Sequence, residues 1–457
     1  MAVRTKRCAA ALFVTALGVT GLAACGSDDD GGEASSTAGT DECAAYADYG
    51  KFEGKTVSVY SSIRDIEADR FIESFGDFEK CTGITIQWEG SGEFEAQLRV
   101  RVDGGNAPDI ATIPQPGLLA DMVAKGAVKE PTQAVTDLAK QRFTEDWLQY
   151  GAVDGKFYAP PLGANVKSFV WYSPKMFADN GWTVPTTWND LLTLSDTIAA
   201  SGKTDKPWCA GIASGDATGW PATDWLEDIM LRTAGPDVYD QWWKHEIPFN
   251  DPAVVTATDE AGKILRNPKL VNGGFGDVKS IATTTFQEAG IPITTGECAL
   301  HRQASFYSNQ WDPDNTKVTE DPTVENGVFA FYFPSNDASS KPVLGGGEFI
   351  AQFNEKPEVE AVQKMFLSEE WVNKKAKIGD WITANNTLDT ANVENPINKL
   401  SVEILQDKAS VFRFDASDLM PAAVGANSFW KQMTAWIASN QDTTKTLTNI
   451  ENSWPKS

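Results

Sequence analysis

The chain has 457 residues, 42% of them hydrophobic and 22% charged, and a formal net charge of −24. That length exceeds one ordinary domain, and the composition is that of globular chains able to bury a core unaided. The acidity excludes nucleic acid or an anionic membrane surface as the main partner, since counterion release needs clustered Lys and Arg; with only 2 histidines, a His-rich metal centre is excluded too.

In chain order, Arg4, Lys6 and Arg7 precede an apolar run from about Ala9 to Ala24, which is short for a bilayer span of roughly 20 residues. Leu22-Ala23-Ala24-Cys25 closes the run and resembles the bacterial lipobox. That resemblance implies removal of residues 1–24 and a lipid on Cys25; a plain secretory signal with an incidental cysteine is the alternative. Residues 25–50 begin rich in Asp, Gly and Ser and read as a flexible tether and linker. Cys43, Cys81, Cys209 and Cys298 remain, and an exported compartment favours disulfides. Of the three possible pairings, Cys43–Cys81 with Cys209–Cys298 is preferred, because it joins sequence neighbours and gives each half a bridge. No CxxC pair supports zinc, and neither a metal nor a cofactor is expected.

From Lys55 the pattern becomes α/β. Val57–Tyr60 reads as a strand, and Ala68, Phe71, Ile72, Phe75 and Phe78 recur at helical spacing until Thr82-Gly83. Ile84, Ile86 and Trp88 alternate as a second strand. Phe94, Leu98 and Val102 mark a helix ended by Gly104-Gly105. Asp109–Ile113 is a third strand, and Leu118, Leu119, Met122 and Val123 a third helix. Such alternation calls for a parallel sheet covered on both faces. Ligands of open parallel sheets bind beyond the carboxyl ends of the strands. Here those ends are Ser61–Arg64, Glu89–Gly92 and Pro114–Gly117, all polar or Gly-rich. Further on, Ser168–Tyr172 reads as a strand and Thr186 or Thr187 as a helix cap. Residues 205–245 are dense in tryptophan. Gly327–Phe333 and Gly345–Phe353 read as strands, Val359–Phe366 as a helix, and Ala422–Trp430 as helical; no repeat is evident.

Spread over nearly the whole body are Thr82-Gly83-Ile84, Asn106-Ala107-Pro108-Asp109-Ile110, Tyr158-Ala159-Pro160, Trp171-Tyr172, Pro185-Thr186-Thr187-Trp188, Gly296-Glu297-Cys298-Ala299-Leu300, Gly345-Gly346-Gly347 and Ser428-Phe429-Trp430. In this order and spacing they resemble extracellular solute-binding proteins of sugar ABC importers, the maltose-binding class, and most nearly the α-glucoside-binding lipoproteins. The resemblance implies a two-lobed α/β fold of the periplasmic-binding-protein kind, with a hinge of two or three chain crossings and a cleft between the lobes. Mapped here, 51–164 plus 300–367 form lobe 1, and 165–299 plus 368–457 form lobe 2.

A neutral sugar presents hydroxyls that need donors and acceptors, and C–H faces that suit flat rings. From the strand-end loops, Arg64 and Gln115 are candidate donors, although an Arg in a loop is also a common solvated residue. By resemblance, Trp220 and Trp225 flank Asp224 in an aromatic-bearing segment of lobe 2. Trp430 matches a late stacking tryptophan. Tyr307, after Phe306, falls where the family carries an aromatic, though its usual tryptophan is absent. Asn165 sits where maltose-binding proteins place an acid. Gly346 offers its backbone with Glu348 beside it, and Arg413 with Asp415 forms a candidate bidentate pair. The alternatives are core packing for any one Trp, a helix N-terminal acid at Asp224, a strand bulge at Gly346 and a structural ion pair at Arg413–Asp415.

The reading is a lipid-tethered, monomeric receptor, not an enzyme. It captures a neutral oligosaccharide, an α-glucoside in the first instance, and passes it to an ABC permease; no Walker-type loop is present. The alternatives are a secreted glycoside hydrolase, which needs two carboxyls about 5 Å apart across a bond, or a binding protein for another solute. Asp312-Pro313-Asp314-Asn315 lacks the Gly and distant Glu of a calcium loop and reads as a turn.

Overall fold

The computed structural model describes residues 43–407 and 409–456. The signal segment 1–24, Cys25 and the first part of the tether lie outside the described residues. The last part of that expected tether is ordered: Ala44–Tyr49 forms a 3-10 helix with Tyr46 buried. Tyr46 and Tyr49 pack on Phe78 at 6.0 and 5.3 Å between ring centres. The Cys43–Cys81 disulfide pins this turn to the following helix. Aromatic contact and a covalent tie outweigh the polar composition there.

The strand β1 (Lys55–Ser61) runs into the helix Asp65–Thr82, which turns Ala68, Phe71, Phe75 and Phe78 inward. Gly83 ends that helix in the left-handed region at φ 78°, its N–H donating to the Glu79 carbonyl. β2 (Ile84–Gly90) returns parallel to β1, and β3 (Ile110–Ile113) pairs parallel on its other side. Helices Phe94–Asp103 and Pro116–Ala124 are placed as their apolar spacing predicts. β4 (Ala152–Val153) and β5 (Lys156–Phe157) form a small hairpin. The chain then supplies β6 (Asn165–Val166), β7 (Phe169–Tyr172), β8 (Leu300–Arg302), β9 (Lys317–Val318) and β10 (Gly327–Tyr332). Last come β11 (Lys341–Gly346), β12 (Phe349–Gln352) and β13 (Ser410–Phe414).

Two main sheets result. The first has the order β12-β3-β1-β2, parallel except for β12 at its edge; the second is β8-β7-β10-β9. A smaller sheet, β13-β11-β6, joins segments on either side of the chain crossings. Core membership divides the same way. Residues from Tyr46 to Leu162 and from Phe349 to Trp381 pack around the first sheet. Those from Val166 to Leu344 and most from Ile397 to Ile450 pack around the second, while Phe414 and Ala422 join the first.

This differs from the expected assignment in two places: 300–344 pack with the second sheet rather than with lobe 1, and 371–381 with the first rather than with lobe 2, whereas 349–367 and most of 397–450 fall where they were expected. β8 and β10 pair with β7 in the second sheet, while Trp371 and Trp381 pack with Phe71 in the first core. The apolar strand β7 is buried throughout and needs a partner on each side, and β8 and β10 are those partners. The expected single strand 345–353 is broken at Gly347-Glu348, where the chain leaves one sheet for the other.

Cys209–Cys298 forms the second bridge, with 5.8 Å between Cα atoms; each disulfide contributes about 2–4 kcal/mol. Thr187 is the helix cap, in a reciprocal capping box with Asp190. Among the described residues no helix is long and apolar enough to cross a membrane.

Candidate ligand-binding cleft

The three strand-end loops of the first sheet converge on one cavity. After β1, Ile63 N–H donates to Ser61 Oγ (3.0 Å), which bends Ser62–Arg64 toward the opening. After β2, Gly90 lies so close to this loop that a Cβ would stand 2.3 Å from the Ile63 carbonyl oxygen. After β3, Pro114-Gln115 leads into a helix started by Pro116. The crossings supply the hinge wall: Gly163, Asn165, Gly346, Gly347 and Glu348 all line the cavity. A Cβ at Gly347 would meet the Gly163 carbonyl oxygen at 2.2 Å, so the two crossing segments touch backbone to backbone.

The second sheet's side contributes rings. Trp220 opens the helix Trp220–Thr233 and meets Phe286 at 5.1 Å and Phe306 at 6.0 Å. Gly219, at φ 117°, lets this helix start against Trp430, whose carbonyl oxygen would sit 2.2 Å from a Cβ there. Trp430 begins the helix Trp430–Ala438 and is only 2% exposed. Trp381 faces the same cavity from the first core.

Eight expected contacts therefore meet here: Arg64, Gln115, Asn165, Trp220, Gly346, Glu348, Asp415 and Trp430. Four do not line the cavity. Trp225 lies five residues after Trp220, roughly 140° around the helix. It packs in the second core against Trp208 and Phe333. Asp224 is fully buried, with its oxygens taken by Lys167 (3.0 Å) and Arg302 (3.4 Å). Tyr307 is a core residue: its hydroxyl donates to the Gln287 carbonyl and accepts from Gly290 N–H, both at 2.7 Å. Its neighbour Phe306 faces the cavity instead, a register difference of one residue in a 3-10 turn. Arg413 pairs with Asp240 (2.8 Å) beside a separate groove with Trp243 and Tyr150. Hence the expected Arg413–Asp415 pair does not form. Asp415 follows the end of β13 and caps the helix Ala416–Leu419, accepting from Asp418 N–H at 3.0 Å.

Sequence reasoning missed Lys167, Glu67, Glu95, Trp381, Phe286 and Asp418, all of which line the cavity. Lys167 carries the electrostatics of the floor. Its ammonium donates to Asp224 and Asp415 and lies 5.5 Å from the Trp220 ring centre. Burial disfavours its charge, yet Asp224 and Asp415 hold its pKa well above the usual lysine value. Burial likewise opposes ionisation of Asp415, but the Lys167 ammonium brings that carboxyl down to about 2. Burial and then Asp415 push Glu227 well above its usual carboxylate value. Asp224, Glu227 and Asp415 bring carboxylate oxygens within 4.8 Å of one another, a spacing that suits a metal ion. The positive charges set against them are those of Lys167 and, at Asp224, Arg302.

On the hinge side, burial and the neighbouring Glu348 carry Glu67 up to about 8, and burial carries Glu348 up to about 7. Four buried polar atoms of cavity-lining residues have no hydrogen-bond partner among the described residues: Gln115 Oε1, Asn165 Oδ1, Trp381 Nε1 and Trp430 Nε1. Asp312 accepts from Asp314 N–H (3.0 Å) and Asn315 Nδ2 (2.6 Å), which makes that segment a turn.

The family described as bacterial extracellular solute-binding protein matches residues 65–377 of this sequence. The chain belongs to that family. Its members are substrate-binding proteins rather than enzymes. The osmoprotective compounds-binding protein GgtB of Synechocystis sp. is 37% identical over 414 residues, covering 89% of this chain and 94% of that one. The alpha-glucosides-binding periplasmic protein AglE of Rhizobium meliloti is 33% identical over 418 residues, covering 88% and 87%. Among solved structures, the bacterial solute receptor AcbH superposes with a TM-score of 0.72 at 18% identity, over 87% of this chain and 98% of that one. Maltose-bound MalE3 of T. maritima gives 0.67 at 16%, over 87% and 98%. At such identities the likeness concerns the fold, which is two-lobed and α/β.

Proposed function

We propose that this solute-binding protein captures an oligosaccharide, an α-glucoside in the first instance, in the interlobe cleft and delivers it to the permease of an ABC importer. The observation that carries the reading is the pairing of unsatisfied polar atoms with flat rings. Gln115 Oε1 and Asn165 Oδ1 are acceptors, and Trp381 Nε1 and Trp430 Nε1 are donors. A buried polar atom without a partner costs about 1–3 kcal/mol, and a polyhydroxylated ligand supplies both kinds of partner at once. Trp220, Phe306, Trp381 and Trp430 offer surfaces for the ring faces of such a ligand. The name of the relative AglE supports the α-glucoside class.

In this reading Cys25 carries a lipid that holds the monomer on the outer face of the cell membrane. Sugar that touches both lobes shifts the population from open to closed, and the closed form docks on the permease. Calorimetric titration with an α-glucoside panel tests this. At least one member binds and is recovered uncleaved, and Trp220→Ala and Trp430→Ala each weaken it by more than roughly tenfold, which is about 1.4 kcal/mol. Unchanged affinity in either variant removes that ring from the site; cleavage of the sugar replaces the reading with the hydrolase one.

A further inference from the structure

Two strand-end loops of the first sheet meet through a buried side-chain bond. Glu95 lies in the first turn of the helix that follows β2, and Gln115 precedes the helix that follows β3. Each is only 5% exposed. Gln115 Nε2 donates to Glu95 Oε1 at 2.9 Å. The Gln115 main chain is held too, its carbonyl accepting from Leu119 N–H at 3.0 Å. The other end of the amide, Oε1, is buried at the cavity without a hydrogen-bond partner among the described residues. An amide has one donating end and one accepting end, whereas a carboxylate only accepts. With Glu95 ionised, the amide therefore has one favourable orientation, nitrogen on Glu95 and oxygen toward the cavity. The reverse orientation sets two acceptors against each other.

We infer that Glu95 is a positioning residue for the ligand: by taking the amide nitrogen of Gln115 it fixes the Gln115 oxygen as a pure acceptor, which selects a solute hydroxyl that donates at that point. This rests on the sugar-binding reading and deepens it. Glu95 acts through Gln115 rather than on the sugar, and a group that accepts without donating is rejected there. The device depends on the charge of Glu95. That carboxyl is faced by Arg99 on its own helix, by Asp216 from the segment preceding the helix Trp220–Thr233, and by Asp418 of the helix Ala416–Leu419. The Arg99 Nη1 donates to the Glu95 main-chain carbonyl at 3.2 Å. Burial, the largest influence, raises the Glu95 pKa, while the Gln115 amide and Arg99 lower it. Once protonated, Glu95 is itself a donor, and the amide then turns its nitrogen to the cavity at little cost.

The probes are maltose and trehalose, each with the monodeoxyfluoro analogues in which fluorine replaces one hydroxyl at a time, since carbon-bound fluorine has no hydrogen to donate. Calorimetric titration at pH 8 gives the ratio of parent to analogue affinity at every position. In the wild type at least one position shows a loss of roughly tenfold or more. Gln115→Met abolishes the loss at that position, which marks the hydroxyl that meets Gln115. Glu95→Gln, whose own amide serves either orientation of Gln115, cuts the loss there to about threefold or less and leaves the losses at other positions in place. In the wild type the marked loss shrinks as the pH falls from 8 to 5; in Glu95→Gln it does not change with pH. A full loss retained in Glu95→Gln overturns the inference and leaves the sugar reading standing. So does a loss independent of pH in the wild type, or the absence of any position that responds to Gln115→Met. Failure of both parent sugars to bind overturns the inference and the sugar reading together. The pH series is read on the wild type, so the inference is falsifiable even where a variant does not fold.

Discussion

The two acidic walls of the cleft obey the same physics and reach opposite outcomes. On the floor, Asp224 and Asp415 surround Lys167, and Arg302 closes the far side through Asp224 and Asp228. Every charge there has a partner, and the cluster ties β7's approach, the helix Trp220–Thr233 and the end of β13 into one rigid body. On the hinge wall, Glu67 and Glu348 line the cavity with no ion-pair partner among the described residues, and burial favours the protonated form of each. The floor is built to stay as it is, whereas the wall is improved by whatever enters. A buried charge neutralised from within is scaffold, and a buried carboxyl with no ion-pair partner is available for recognition.

The largest effect expected from this contrast is on stability. Lys167→Met leaves Asp224 and Asp415 buried without their counter-charge, a loss of about 3–5 kcal/mol, read by denaturant unfolding. A change below about 1 kcal/mol would place the floor's rigidity elsewhere. Next, Trp220→Ala reduces affinity for the bound sugar by more than roughly tenfold, as stated above, while the half-buried position of the ring leaves the fold intact; circular dichroism and calorimetry together check this.

The wall yields a smaller effect with a definite sign. Burial and Glu348 raise the Glu67 carboxyl to about 8, so the fold favours its protonated form. That stabilisation is complete below the unfolded value of 4.5 and is lost as the pH rises through about 8. Glu67→Gln is neutral at every pH and raises the ligand-free melting temperature at pH 8.5 by a few degrees, with no gain at pH 4.5. Equal gains at both values would mean that packing, not charge, is responsible. Smallest of all is Arg413→Ala, which removes a half-exposed pair with Asp240 worth about 0–1 kcal/mol and leaves sugar affinity within twofold.

Most of the first sheet was legible in the sequence because its signals are local. Period-two strands, period-3.6 helices and Gly83 as a stop give β1 to β3 and the helices between them, and the strand-end loops then have to meet at one edge. What was not legible depends on contacts between distant segments. The lobe assignment of β8 and β10 follows from pairing with β7, more than a hundred residues upstream, and sequence order carries no mark of it. Trp225 and Tyr307 are expected in the cleft by resemblance and Arg413 as a bidentate partner of Asp415, and the structure turns each away by helical phase, by 3-10 register or by a different ion-pair partner. Glu67 had a local signal that was not used: as the third residue of the helix that follows the β1 loop, it is one turn from Arg64 and shares its edge of the sheet. Lys167 had none, because its meaning comes from two acids 57 and 248 residues away.

Calorimetric titration of the chain with maltose and other α-linked disaccharides tests the central claim most directly. One carbohydrate bound per chain, recovered chemically intact and lost in Trp220→Ala, is the predicted result. Absence of heat with every saccharide, or an affinity untouched by that substitution, would contradict the account.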